Sequence, residues 1–228
     1  MASLVLEEFE SRQDDIDRLI ELAQFLDDAE IISKKDCDSG NEDQIEIDDR
    51  MKSIMNSLIQ LASYNQIEST MRGCLESLYD NIDDRSVSYD KLTNCIQKNI
   101  IKSIINGGKS TESLHSNLGQ EIAQKIPKSS LNIRKIFNGN VSKETITKIK
   151  KDYEIEIIAP LGTRDGVEIT LLKDARNDLA HGNKSFSEHG RKYSLEEVIN
   201  VCNRTNNYLR ATISSFDDYI EQEKYLRP

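Results

Sequence analysis

Three prolines and ten glycines in 228 residues leave little to interrupt a helix. Apolar residues recur at helical spacing over most of the chain, which predicts an all-α protein with several long helices. A first helix is expected over about Leu6–Ile31, with Leu6, Phe9, Ile16, Leu19, Ile20, Ala23 and Leu26 on one side. Residues 33–44 are polar and read as a loop. A second, longer helix runs from about Ile47 to Ile82, with Met51, Ile54, Met55, Leu58, Leu61, Leu75, Leu78 and Ile82 in its apolar stripe. A third covers about Tyr89–Asn106 and is stopped by Gly107-Gly108. Shorter helices are expected near Ser113–Lys125, Ile133–Phe137 and Ser142–Asp152, followed by an extended connector over Glu154–Pro160.

Two further helix starts carry capping-box spacing: Asp165-Gly166-Val167-Glu168 and Ser194-Leu195-Glu196-Glu197. The second opens a final helix reaching about Glu223. Its residues Leu195, Cys202, Leu209 and Phe216 recur every seven, as do Ile199, Asn206, Ile213 and Ile220. Burial in the chain's own bundle explains this seam more simply than a dimer.

Charge divides the chain. Residues 1–50 hold 17 acids and 5 bases, a net of −12, whereas residues 98–151 hold 11 bases and 3 acids, a net of +8. An acidic head of residues 1–45 is therefore expected ahead of a helical domain of residues 46–228. The basic middle is a solvated face or a surface for RNA.

Several chemistries are excluded. The thiols Cys37, Cys74, Cys95 and Cys202 are widely spaced with no CxxC pair, so neither a zinc site nor a disulfide framework is expected. Reduced thiols, the lack of a secretory signal and the lack of a membrane-length apolar run suit a cytoplasmic protein. Gly107-Gly108-Lys109-Ser110-Thr111 resembles the tail of a phosphate-binding loop, but the first glycine of that motif would fall on Ser103. No nucleophile elbow is present, no DxD or HExxH pattern suggests a metal, and no metal or other cofactor is expected.

The chemistry-bearing stretch is Arg176-Asn177-Asp178-Leu179-Ala180-His181-Gly182. It is expected at a helix end, with Gly182 just past the last turn. Asn177 and His181, four apart, share a face. Arg176 sits about 140° around the helix from His181 and must reach across. Histidine, with an ordinary pKa of about 6.5, gives or takes a proton near neutrality. A permanent guanidinium beside it suits phosphodiester chemistry without metal. The competing explanation is structural: carbonyl capping, or ion pairs with Asp174 or Asp178.

The motif, read as Arg-Asn-x-Leu-Ala-His-Gly, resembles the RxxxxH signature of the HEPN superfamily (higher eukaryotes and prokaryotes nucleotide-binding domain). Asn183-Lys184-Ser185-Phe186, Gly190-Arg191-Lys192-Tyr193-Ser194, Tyr219…Lys224-Tyr225-Leu226 and Tyr64-Asn65-x-Ile67-Glu68-Ser69-Thr70-x-Arg72 are similar to its bacterial MAE-type branch. The resemblance covers roughly residues 45–227. It implies a HEPN-like helical bundle, commonly dimeric, with two motifs sharing a cleft and cutting RNA without metal in toxin–antitoxin or defence systems. Arg176 would then hold the scissile phosphate, Asn177 would orient it or the histidine, and His181 would act as acid or base. Lys184, Arg191 and Lys192 are weaker candidates for flanking RNA phosphates. His189 is expected in an exposed loop, outside the reaction. Glu68, Arg72 and Glu76 read as an ion-pair ladder, and Asn65 and Ser69 as interruptions of the apolar stripe that could face the cleft. An antitoxin or defence-complex protein is an implied partner. The alternative is a catalytically silent HEPN module that binds a partner protein or RNA.

Overall fold

The computed structural model describes residues 3–35, 42–107, 126–127, 130–137 and 140–228. Among them are eight α-helices and one two-stranded sheet, and the all-α expectation holds. Helix α1 (Leu4–Asp28) starts at Ser3, whose hydroxyl accepts from the Leu6 amide at 3.3 Å. It buries Val5, Phe9, Ile16, Ala23 and Leu26. The expected loop over 33–44 is replaced in part by an antiparallel pair, β1 (Ile31–Lys35) and β2 (Glu42–Glu46), with Ile32 opposite Ile45. Side-chain polarity does not prevent this, because the ladder is made by backbone groups.

Helix α2 (Asp49–Asp84) is the axis of the fold, 36 residues long and hence about 54 Å at 1.5 Å per residue. It packs against α1 and three of the helices that follow. Alongside Ile59, Ile67, Met71, Leu75, Leu78 and Ile82 it buries Ser53, Asn56, Ser57, Gln60, Ser63, Gln66 and Thr70. The single apolar stripe expected for this helix is therefore too narrow a description.

The expected third helix divides into a 3-10 turn at Tyr89–Lys91 and α3 (Asn94–Gly107). The cause lies at the far end of the chain. Leu92 bridges Leu226, the Thr93 amide donates to the Tyr225 carbonyl at 2.9 Å, and the Arg227 amide donates to the Lys91 carbonyl at 2.9 Å. Strand-like pairing at Leu92 holds that residue extended, with φ −75° and ψ 151°, so no helix can pass through it. Helices α4 (Ile133–Phe137) and α5 (Lys143–Tyr153) lie close to their expected bounds. The helix expected over Ser113–Lys125, the Gly108–Thr111 stretch, Cys37, Lys109, Lys125 and Lys128 lie outside the described residues.

Helix α6 (Val167–Ala180) carries the motif, α7 (Phe186–Gly190) follows it, and α8 (Leu195–Glu221) closes the bundle. Ser194 and Glu197 form the expected capping box. Cys202, Leu209, Ile213 and Phe216 of the heptad seam are buried in this chain's own core. Helix α1 joins the same core through Val5 and Phe9. The Gln66 amide also donates to the Phe9 carbonyl (3.3 Å) and the Gln13 side chain (3.1 Å). Cys74, Cys95 and Cys202 are free thiols. No helix of the described residues is long and apolar enough to cross a membrane.

Helix α7 lies unusually close to α2. A Cβ at Gly190 would stand 1.7 Å from the Ser53 carbonyl oxygen and 2.9 Å from Ser57 Oγ. The backbone of α2 cannot yield that much locally. Gly190→Ala should therefore lower the unfolding free energy by about 1–3 kcal/mol or more, measured by urea denaturation. An unchanged midpoint would mean that α7 does not dock this closely.

Candidate active site

The end of α6 is shaped by Gly182. His181 is the cap residue, and Gly182 takes φ +67°, a left-handed conformation that a side chain would oppose. The Gly182 amide donates to Leu179 O at 3.3 Å and the Asn183 amide to Asp178 O at 2.9 Å. These two bonds make a Schellman motif, so the expected stop is present. The start differs from expectation. Gly166 in the left-handed region is the cap and no side chain caps the helix. Asp165 instead pairs with Lys143 at 2.9 Å, which holds its carboxyl below the usual range. Buried Glu168 accepts from Arg164 and Arg204, each at 3.3 Å. A capping box needs an extended residue at the cap, and neither Asp165 nor Gly166 is extended.

Arg176 points toward α2. Its Nη1 donates to Asn177 Oδ1 at 3.1 Å and to Asn140 Oδ1 at 3.2 Å. Its Nη2 lies 3.9 Å from Glu68 Oε1, and its guanidinium stands 5.5 Å from the centre of the Tyr64 ring. Tyr64 is itself fixed: its hydroxyl donates to Glu68 Oε1 at 3.2 Å and accepts from the Val141 amide at 2.8 Å. Burial pushes its phenol up to about 12, so it stays a neutral donor. Beside Arg176 an open groove of about 560 Å³ has an apolar wall of Leu19, Leu58, Leu61 and Ala62. Asn65 lines the groove and is exposed, as its break in the apolar stripe suggested, whereas half-buried Ser69 does not line it. The expected Glu68–Arg72 pairing is absent: Glu68 faces Arg176, and exposed Arg72 makes no ion pair with a described residue.

His181 is exposed, and its imidazole makes no hydrogen bond or ion pair with a described residue. Arg176 and Asn177 thus meet directly, while the histidine projects from the same helix end toward solvent. Lys184 is bound to the Asp178 carboxylate, which it holds below the usual carboxylate range. Lys192 lies against Lys184 and is exposed, as is Arg191.

A model of the HEPN_MAE_28990-like HEPN family matches residues 1–225. The chain belongs to that family. The match starts at residue 1, so it includes the acidic α1 that the sequence resemblance left out. No curated protein and no solved structure matches the chain. The HEPN superfamily generally contains ribonuclease domains, and membership points to an RNA-related function.

In this HEPN chain the surprise is His189. It is 3% exposed rather than in an exposed loop. Its Nε2 lies 3.0 Å from Gln60 Oε1, and its Nδ1 has no hydrogen bond but stands 3.9 Å from Asp178 Oδ2. Ser57 Oγ donates to Phe186 O at 2.7 Å and Asn56 Nδ2 to Tyr193 O at 2.9 Å. Together these contacts hold the tract after the motif against α2. Polar residues at helical spacing on α2 (Ser53, Asn56, Ser57, Gln60) were the sequence signal for this contact. For Asn140 at Arg176 there was none.

Burial, then the Lys192 and Lys184 ammoniums, push the His189 pKa below its ordinary 6.5, while Asp178 opposes the shift. The unfolded chain therefore takes up this proton first as pH falls. Stability should be complete above pH 6.5 and should decline as pH drops through the folded-state value. Thermal melts followed by circular dichroism should show a falling Tm between about pH 7 and 5. His189→Gln should flatten that decline, and an identical slope in both proteins would contradict the assignment.

Proposed function

We propose that this HEPN protein is an endoribonuclease that cuts RNA without a metal cofactor and acts as a bacterial toxin or defence effector. The observation that carries the reading is Arg176, anchored by Asn177 and Asn140 at the rim of an open groove, one turn from exposed His181. The guanidinium stabilises the charge that grows on the phosphate oxygens. Asn177 fixes its orientation. Glu68 holds the guanidinium in place until a phosphate takes over as its anion.

His181 supplies the proton transfer. As a base it removes the proton from the 2′-hydroxyl, whose oxygen attacks the adjacent phosphorus. As an acid it protonates the 5′-oxygen when the P–O bond breaks. The products are a 2′,3′-cyclic phosphate and a 5′-hydroxyl. One histidine cannot take and give a proton within the same step, so the second comes from another copy of the chain in a homodimer. Lys184, Arg191 and Lys192 beyond the motif meet flanking phosphates, with Lys184 sharing its charge with Asp178.

Purified protein should cleave RNA in EDTA and leave 2′,3′-cyclic phosphate ends. Arg176→Ala and His181→Ala should each reduce the rate by at least about 100-fold. Cleavage that survives both substitutions would remove the motif from the reaction. No cleavage of any RNA, with binding retained, would favour a silent HEPN module. Expression should arrest growth, and His181→Ala should relieve the arrest.

A further inference from the structure

The groove beside Arg176 carries two polar groups that the cleavage steps leave unused: the Asn65 amide and the second carboxylate oxygen of Glu68. We infer that the groove takes a guanine base next to the cleaved phosphate and that Asn65 and Glu68 read it, a role that rests on Arg176 holding that phosphate.

The wall suits the face of a base. Leu58, Leu61, Ala62 and Asn65 stand at i, i+3, i+4 and i+7 of α2 and so share one side of it, and Leu19 of α1 lines the groove with them. All four apolar side chains are half-buried. The groove is open, and its volume of about 560 Å³ lies within the range of small-molecule sites. A nucleobase is flat and apolar across its faces, so such a wall takes one face from water and leaves the polar edge to be read. A sugar or a second phosphate gains nothing from it.

The polar groups select which base. Exposed Asn65 makes no hydrogen bond with a described residue, so its amide is open to a ligand. Glu68, three residues on, lies about 4.5 Å further along the helix and about 60° around it. Its Oε1 accepts from the Tyr64 hydroxyl at 3.2 Å and stands 3.9 Å from Arg176 Nη2, whereas its Oε2 makes no hydrogen bond with a described residue. One turn of α2 therefore presents a carboxylate, which only accepts, beside an amide, which also donates.

Guanine matches that pair. Its N1–H and N2 amino group are adjacent donors for the two carboxylate oxygens, and its O6 accepts from Asn65 Nδ2. Adenine and cytosine set a ring acceptor beside the amino group, which a carboxylate repels. Uracil has one N–H between two carbonyls. A phosphate arriving at Arg176 frees Glu68 from the guanidinium, so the carboxylate turns to the base as the substrate binds.

The probes are fluorescein-labelled pentanucleotides with 2′-fluoro at every sugar, which removes the nucleophile and prevents cleavage. Four uridines flank a central guanine, adenine, cytosine, uracil or hypoxanthine, and binding to the full chain is followed by anisotropy. Guanine should bind at least about tenfold more tightly than adenine, cytosine or uracil. Hypoxanthine, which lacks the N2 amino group, should bind at least about threefold more weakly than guanine. Asn65→Ala and Glu68→Gln should each cut the guanine-to-adenine ratio at least about threefold. That ratio is the readout, because a variant that merely loosens the groove weakens both probes together. No binding, no guanine preference in the wild type, hypoxanthine bound as tightly as guanine, or a ratio unchanged in either variant would each overturn the proposal. Cleavage of RNA in EDTA separates the two readings. Cleavage without guanine-selective binding would remove this one alone, and guanine-selective binding without cleavage would remove the ribonuclease alone.

Discussion

A helix that buries polar side chains along much of its length needs partners for them, because an unpaired buried polar group costs about 1–3 kcal/mol. Helix α2 is in that position, and its polar residues dictate what can surround it. Ser57, Asn56 and Gln60 reach Phe186, Tyr193 and His189, all in the tract that follows the motif. Gln66 reaches the α1 backbone. Ser63 bonds its own helix at Ile59 and contacts Cys202 of α8. Most of these groups meet their complements, the exceptions among the described residues including Gln66 Oε1 and Thr70 Oγ1, and Gly190 is small because the contact at Ser53 leaves no room for a side chain.

That arrangement also sets the motif. Docking of α7 against α2 closes the turn after Gly182, and the Asp178 carbonyl accepts from both Asn183 and Lys184. On the other flank Arg176 lies over Tyr64 and toward Glu68, both on α2. Arginine and histidine thus leave the same helix end in different directions, one toward a groove and one toward solvent. This geometry suits a site that a second chain would complete.

Much of the fold was legible in the sequence. The bounds of α4 and α5, the Ser194–Glu197 cap and the stop at Gly182 all follow from local chemistry. The failures share a cause. The break between Tyr89 and Asn94 is imposed by the chain terminus, more than 130 residues away. The Asp165–Glu168 box is absent because Lys143, Arg164 and Arg204 claim the two carboxylates. His189 read as a loop residue because its partner Gln60 lies 129 positions earlier.

By itself the sequence determined which segments become helices, where the motif helix stops, and which chemical groups stand at its end. Periodicity, capping and glycine conformation act within a few residues, so they can be read along the chain. Only the tertiary structure decided that Glu68 would face Arg176 rather than Arg72, that Asn140 would hold the guanidinium, and that His189 would be buried while His181 stayed exposed. Those outcomes depend on which distant groups arrive at the same place. That is set by packing around α2, and no spacing within the motif encodes it.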